Sequence, residues 1–216
     1  LFNMKIPKFE AQTEWVKPAE FIHVKNYGFL QTKVPANLFT KLKKECQNDK
    51  KLKEMKSGLS GKGVPKHFYI EEGFPELKKY IHCCAAEYEK KFKYIETLKF
   101  LNKNAPLLVT PPWVNIQKRY EFQPMHNHDG ILSYNIWIQI PYDSKKELEG
   151  GGSAARLEFI YPMTHGGTGS YKFNLSKEDE GKLIMFPSSF THALYPFYTS
   201  KDVRLSIAGN IVLEVT

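Results

Sequence analysis

Cysteine is scarce in this chain. Three occur in 216 residues, two of them adjacent at Cys83 and Cys84, too few for a disulfide framework. Long apolar runs are missing as well: the most hydrophobic stretch, Ile131 to Pro141, is interrupted by Ser133, Asn135 and Gln139, so no segment reads as a membrane span. No charged-then-apolar leader is legible, and with so few cysteines the expected compartment is the cytoplasm. Internal repeats are lacking, and the only low-complexity feature is the short turn 150-GGG-152. The glycine-rich turn 162-PMTHGGTG-169 has no Lys-Ser/Thr pair behind it, which removes a nucleotide phosphate loop. What is present is a globular composition, 42% hydrophobic and 14% aromatic, long enough to bury a core in one compact domain.

Arginine and lysine exceed acids by a net +8, unevenly. Residues 1–110 hold 21 lysines against 12 acids, whereas residues 111–216 are close to neutral. A basic half can mark a polyanion surface. Here the lysines of 41-KLKKECQNDKKLKEMK-56 and 78-KKYIHCCAAEYEKKFK-93 are interleaved with Glu, the pattern of solvated helix faces, so nucleic acid is not the expected partner.

The periodicity divides the chain at about residue 110. Between Pro35 and Lys56, Leu38, Phe39, Leu42, Cys46, Leu52 and Met55 recur at three- and four-residue steps, predicting one helix; 57-SGLSGKGVP-65 breaks it. A second helix is predicted from about Pro75 to Phe100, with Leu77, Tyr80, Ile81, Cys84, Tyr88, Phe92 and Ile95 on one stripe. From Trp113 onward the period is two. The segments 113–122, 132–142, 155–161, 170–175, 182–187 and 203–215 read as strands of a sandwich or barrel. The expected architecture is therefore mainly β with supporting helices: residues 1–110 form a basic, largely helical support packed on the sheet, and 111–216 the core.

Histidine is sparse too, seven in all, yet His126 and His128 stand two apart in 120-YEFQPMHNHDG-130. In extended chain, residues i and i+2 face the same way, so the two can approach one metal ion. His192 follows the strand 182–187. Two ligands near a strand end and one distant histidine make a three-point facial site that leaves coordination positions open. Twelve residues further on come Arg204 and Ser206, on one face of an alternating strand whose other face carries Leu205 and Ile207. A guanidinium on a core-facing surface needs an anion, and its fork matches a carboxylate bidentately.

The pieces 119-RYEFQPMHNH-128, 131-ILSYNIWIQIP-141, 181-GKLIMFPSSFTHALYPF-197 and 204-RLSIAGNI-211, in this order, resemble the iron(II)- and 2-oxoglutarate-dependent oxygenases. They are most similar to the prolyl-hydroxylase-related branch of phage and marine microbial sequences. The resemblance covers residues 110–216 well and the basic half loosely. It implies a double-stranded β-helix, the jelly-roll or cupin-like barrel, and a dioxygenase that uses Fe(II), 2-oxoglutarate and O₂ to hydroxylate a C–H bond. The substrate is not named by the sequence; a peptidyl or free amino-acid side chain is the class the resemblance implies. By position, His126 corresponds to the first metal ligand, His192 to the distal one, and Arg204 with Ser206 to the pair holding the distal carboxylate of 2-oxoglutarate. Tyr120 and Trp137 are candidates for lining the cosubstrate pocket.

The chain departs from that family at the middle ligand. Where a carboxylate is usual it has His128, with Asp129 one residue on. Strand parity puts His128 beside His126, while a local bulge would turn Asp129 inward, and both alternatives stand. Three neutral imidazoles leave a metal more positive than a site with a carboxylate, and also suit zinc. Two other readings compete. A cupin matches Gly181, Pro187 and His192 but lacks the glutamate after its histidine pair and gives no reason for Arg204 and Ser206. A non-enzymatic jelly-roll module expects Arg204 to be satisfied within the chain, for instance by Asp202 or Glu214. His23, His67, His82 and His165 are assigned no role.

Overall fold

The structure, a computed structural model, describes residues 26–47, 52–55, 62–70, 75–98, 105–149, 152–163 and 166–214. Along the first half come β1 (Leu30–Lys33), α1 (Ala36–Cys46), β2 (Leu52–Met55), β3 (Lys66–Ile70), α2 (Pro75–Phe92), α3 (Tyr94–Thr97) and β4 (Leu107–Val109). The second half runs β5 (Trp113–Gln117), β6 (Gln123–His126), β7 (Leu132–Gln139), α4 (Ser144–Leu148), β8 (Leu157–Pro162), β9 (Thr168–Phe173), β10 (Lys182–Pro187), β11 (Thr191–Leu194) and β12 (Arg204–Leu213). The strands form two antiparallel sheets. One has eight strands in the order β1, β10, β7, β12, β5, β3, β2, with β4 also on β12; the other runs β6, β11, β8, β9. From β5 to β12 the chain alternates between the two sheets except for the β8–β9 pair, both in the small sheet, which is the double-stranded β-helix.

The large sheet has an apolar layer on each side, and strand alternation builds both. Leu132, Ile136 and Ile138 of β7, Leu183 and Met185 of β10, and Leu205, Ile207 and Ile211 of β12 join Leu38 and Leu42 of α1 and Leu77, Ile81 and Tyr88 of α2 in one core. The residues between them face the small sheet, where Trp137, Ile184 and Phe186 meet Leu157, Phe159 and Leu194 in a second core. The helical stripes read from the sequence thus bury against the outer face of the sheet. Their lysines stay outside, Lys41 pairing with Glu76 and Lys43 with Glu180. No helix among the described residues is long and apolar enough to cross a membrane.

The first half departs from its predicted helical character. Leu52 and Met55, expected on the first helix, lie in β2, which pairs with β3, because α1 ends at Cys46. β3 in turn pairs with β5, and β1 caps the opposite edge on β10. These segments are too short to declare a period, and they become strands by completing sheet edges whose backbone groups need partners. The second predicted helix stops at Phe92, followed by the short α3. His23 and His165 lie outside the described residues.

Two glycines are required by contact rather than by composition. Gly130 has φ +110°, and a Cβ there would stand 2.8 Å from the Ile211 carbonyl, so the turn after His128 closes against β12 only without a side chain. At Gly209 a Cβ would meet the Tyr134 ring at 2.6 Å, with the hydroxyl closer still. Tyr134 is 1% exposed and has no room to retreat. Gly209→Ala should therefore cost about 1–3 kcal/mol, read from denaturant unfolding; an unchanged midpoint would show that the Tyr134 ring yields.

Candidate metal centre

One end of the barrel gathers the histidines. β6 ends at His126, which pairs with His192 of β11 across the small sheet. His128 lies two residues beyond, and its backbone N–H donates to the Ser188 carbonyl at 2.9 Å, while Ser188 N–H donates to the Ile131 carbonyl at 3.0 Å. The Ser133 hydroxyl links Ser188 and Asn210, both at 2.8 Å. This network ties the His128 turn to the turn between β10 and β11 and to β12. The three histidines offer ring nitrogens that all lie within 4.8 Å of one another. Asp129 is exposed, and among the described residues no carboxylate joins the cluster. Strand parity thus brings in His128, and no bulge turns Asp129 inward.

The rings are prepared as neutral donors. His126 Nδ1 lies 2.7 Å from the Pro124 carbonyl and His192 Nδ1 2.9 Å from that of Phe190. A carbonyl only accepts, so Nδ1 carries the proton and Nε2 keeps its lone pair for a metal. Burial lowers the pKa of all three. His192 falls to about 3, through burial and then the neighbouring His126, and His128 to about 4, through burial, His126 and His67. His126 is lowered by burial, partly offset by its bond to Pro124. A metal ligand must be deprotonated, and these are so at neutral pH.

A cavity of about 30 Å³ lies against the triad, lined across from it by Trp113, Asn115, Asn135, Trp137 and Ala208. Pairing of β12 with β5 and β7 stacks these in rows: Trp113, Ala208 and Asn135 in one, Asn115, Ser206 and Trp137 in the next, then Gln117 and Arg204. Trp137, 3% exposed, stands in that wall. Ser206 is buried and accepts from Asn115 Nδ2 at 3.2 Å. Asn115 Oδ1 and Asn135 Nδ2 are buried without hydrogen-bond partners, and such polar atoms mark where a polar ligand is expected.

Arg204 is 1% exposed. Its Nε donates to Gln117 Oε1 at 2.9 Å, and Nη1 to the Tyr142 hydroxyl at 3.0 Å and the Ala155 carbonyl at 3.1 Å. Nη2 donates to Gln117 Oε1 and, at 2.8 Å, to the Tyr195 carbonyl. Arg204 is thus satisfied within the chain, as a non-enzymatic module expects, but by neutral acceptors and not by Asp202 or Glu214.

Tyr120 requires correction. It does not line the pocket: β5 stops at Gln117, the chain turns, and Tyr120 has φ +71° and is 58% exposed. Its ring lies under Arg119 at 4.4 Å and beside Tyr198 at 5.5 Å. The strand period simply does not reach residue 120. Conversely, Asn115, Gln117 and Asn135 were missed, though a signal existed: each is a polar residue at the inward parity of an otherwise apolar strand. His67, buried on β3 opposite Asn115, had no such signal, because its strand was not read.

Comparison with known proteins agrees with this geometry. Residues 112–210 match the family model described as "Putative 2OG-Fe(II) oxygenase". A prolyl-4-hydroxylase from Pseudomonas putida is similar at TM-score 0.55 and 12% identity, over 88% of this chain and 94% of that one. A prolyl hydroxylase from Trichoplax adhaerens, solved with a hypoxia inducible factor oxygen degradation domain peptide fragment, is similar at TM-score 0.56 and 14% identity, over 87% and 84%. No curated protein matches the chain. Over those residues the chain is similar to the 2OG-Fe(II) oxygenases, and the solved structures share its fold.

The histidine shifts set a pH dependence for metal-free protein. In the unfolded chain these rings take up protons below about 6.5, whereas folded His128 and His192 resist until about 4 and 3. Their contribution to stability is therefore complete above pH 6.5 and drains away as pH falls toward 4 and then 3. Unfolding midpoints measured across that range should drop, and His192→Gln should flatten the drop; a wild-type profile flat down to pH 4 would contradict these shifts.

Proposed function

We propose that His126, His128 and His192 hold the iron(II), and that Arg204 with Ser206 receives the distal carboxylate of 2-oxoglutarate. One observation carries this reading. Three neutral imidazoles converge at one end of a barrel interior, and a buried guanidinium with no ion pair among the described residues stands further along that interior, on the large sheet. The donor set suits a divalent first-row metal, and the unpartnered Asn115 Oδ1 and Asn135 Nδ2 fit a polar cosubstrate between the two ends. The fit at Arg204 is of charge: a buried cation favours an anion.

When bound, iron supplies the oxygen chemistry that couples 2-oxoglutarate and O₂ to succinate, CO₂ and a hydroxylated C–H bond. The chain's part is placement. The carbonyls of Pro124 and Phe190 hold two imidazoles in the metal-binding tautomer, and the Ser133–Ser188–Asn210 network holds the turn that carries the third. Trp137, Leu157 and Leu194 exclude water from the path between the histidines and Arg204. With no carboxylate among its protein ligands, the centre leaves charge balance to the dianionic cosubstrate.

The second substrate docks in the cleft of about 470 Å³ lined by Tyr27, Phe29, Tyr161, Tyr171, Phe190 and Thr191. Among the described residues no charged side chain lines it, so it suits the apolar part of a peptidyl or free amino-acid side chain. Nucleic acid has no place in this reading, and the three cysteines, all free, accord with the cytoplasm.

Purified protein given Fe(II) and 2-oxoglutarate should release succinate slowly without added substrate and faster with a true one. His192→Ala and His128→Ala should each lower retained metal at least about tenfold, measured by elemental analysis after dialysis. His128→Asp should retain metal. Arg204→Lys should weaken 2-oxoglutarate binding, because a point charge does not replace the fork. Undiminished metal content in both alanine variants would falsify the ligand assignment.

A further inference from the structure

A guanidinium has five N–H donors, and in Arg204 all five are taken. Four acceptor atoms share them, and none is charged: Gln117 Oε1, the Tyr142 hydroxyl and the carbonyls of Ala155 and Tyr195. Hydrogen bonds to neutral groups recover part of the solvation that a buried cation loses but do not balance its charge. A carboxylate would do so, yet it finds no N–H to land on until one acceptor leaves.

The four acceptors are not equally free to go. Ala155 and Tyr195 offer backbone oxygens whose own segments are pinned, Ala155 N–H to the Pro196 carbonyl at 2.8 Å and Tyr195 N–H to that of Arg156 at 2.9 Å. Tyr142 donates to the Ala155 carbonyl at 3.2 Å and packs its ring on Phe197 at 5.1 Å. Gln117 is different in two ways. Its Oε1 takes both Nε and Nη2, the edge of the fork that a carboxylate grips bidentately. It is also a flexible side chain, anchored beyond Arg204, among the described residues, only by a bond from Nε2 to the Glu121 carbonyl, in the turn past β5.

We propose that Gln117 and the distal carboxylate of 2-oxoglutarate compete for the same edge of Arg204, so that residue 117 sets the affinity and selectivity of the cosubstrate seat. This rests on the reading of Arg204 given above. Gln117 acts through Arg204 and is a positioning residue. As a neutral acceptor it yields to an anion, whose two charge-assisted bonds are stronger than its own, but not to a neutral ligand end. A 2-oxo acid without the distal carboxylate gains nothing from displacing it. The chain thereby discriminates for the diacid before any reaction occurs.

The test measures binding calorimetrically on Mn(II)-loaded protein, with thermal unfolding alongside. Gln117→Met keeps the volume and deletes the acceptor; 2-oxoglutarate should bind about tenfold more tightly. Gln117→Glu places a carboxylate in the fork for good. The protein without 2-oxoglutarate should then unfold at a higher temperature, while 2-oxoglutarate affinity falls at least about a hundredfold. Gln117→Ala should follow Gln117→Met in sign, so a fold defect in either leaves the other to decide. Binding of 2-oxobutyrate, which lacks the distal carboxylate, should stay the same in all variants. A purely structural Gln117 would weaken 2-oxoglutarate in Met, Ala and Glu variants alike, and that result, or equal affinity in all, overturns the proposal while the Arg204 reading stands. Wild-type protein that binds Mn(II) but no 2-oxoglutarate removes both.

Discussion

Strand β12 is paired on both long edges, to β5 and to β7, with β4 extending the first of these, and its alternation is the constraint on which the rest depends. Leu205, Ile207 and Ile211 face the helices, while Arg204, Ser206 and Ala208 face the barrel interior. A one-residue slip would exchange these sets. It would drive the guanidinium into an apolar core with no acceptors, and put Leu205 where Gln117, Tyr142, Ala155 and Tyr195 now converge. Both outcomes are costly, so register is enforced by the same residue that defines one end of the site. The bulge between Leu205 and Ser206 on the β7 side keeps Trp137 opposite Ser206 and therefore in the wall of the cavity.

The other end of the site is built by the small sheet. His126 and His192 are direct cross-strand partners, which fixes their separation through backbone pairing rather than through loops. His128 lacks that support and relies on Ser188, Ser133 and Asn210 and on the close approach that Gly130 permits. Two histidines thus sit on a ladder and the third on a braced turn. That is also where this chain has an imidazole in place of the carboxylate usual in oxygenases of this kind. The three-histidine cluster brings no negative charge of its own.

Supporting helices and the strands of the first half serve this arrangement from outside. α1 and α2 cover the outer face of the large sheet, and β1, β2 and β3 lengthen it at both edges. β3 also brings His67 opposite Asn115, close enough that His67 is among the causes of the lowered His128 pKa. The first half thus reaches the electrostatics of the site without supplying any of the three convergent histidines.

Much of this was legible residue by residue. Period-two patterning in 132–139 and 204–213, the pair His126 and His128, and the inward parity of Arg204 and Ser206 follow from alternation, which is local to each strand. Local rules also misplaced Leu52, Met55 and Tyr120, because the ends of α1 and β5 are set by what the chain must reach next and not by period. Only the tertiary structure could decide that His128 rather than Asp129 joins the cluster, since that choice turns on hydrogen bonds to Ser188 sixty residues away. It alone could show that Gln117 fills the fork of Arg204. Sequence determines which side chains share a face; which of them meet across a barrel depends on pairing between strands far apart in the chain, and no single-strand pattern encodes that distance.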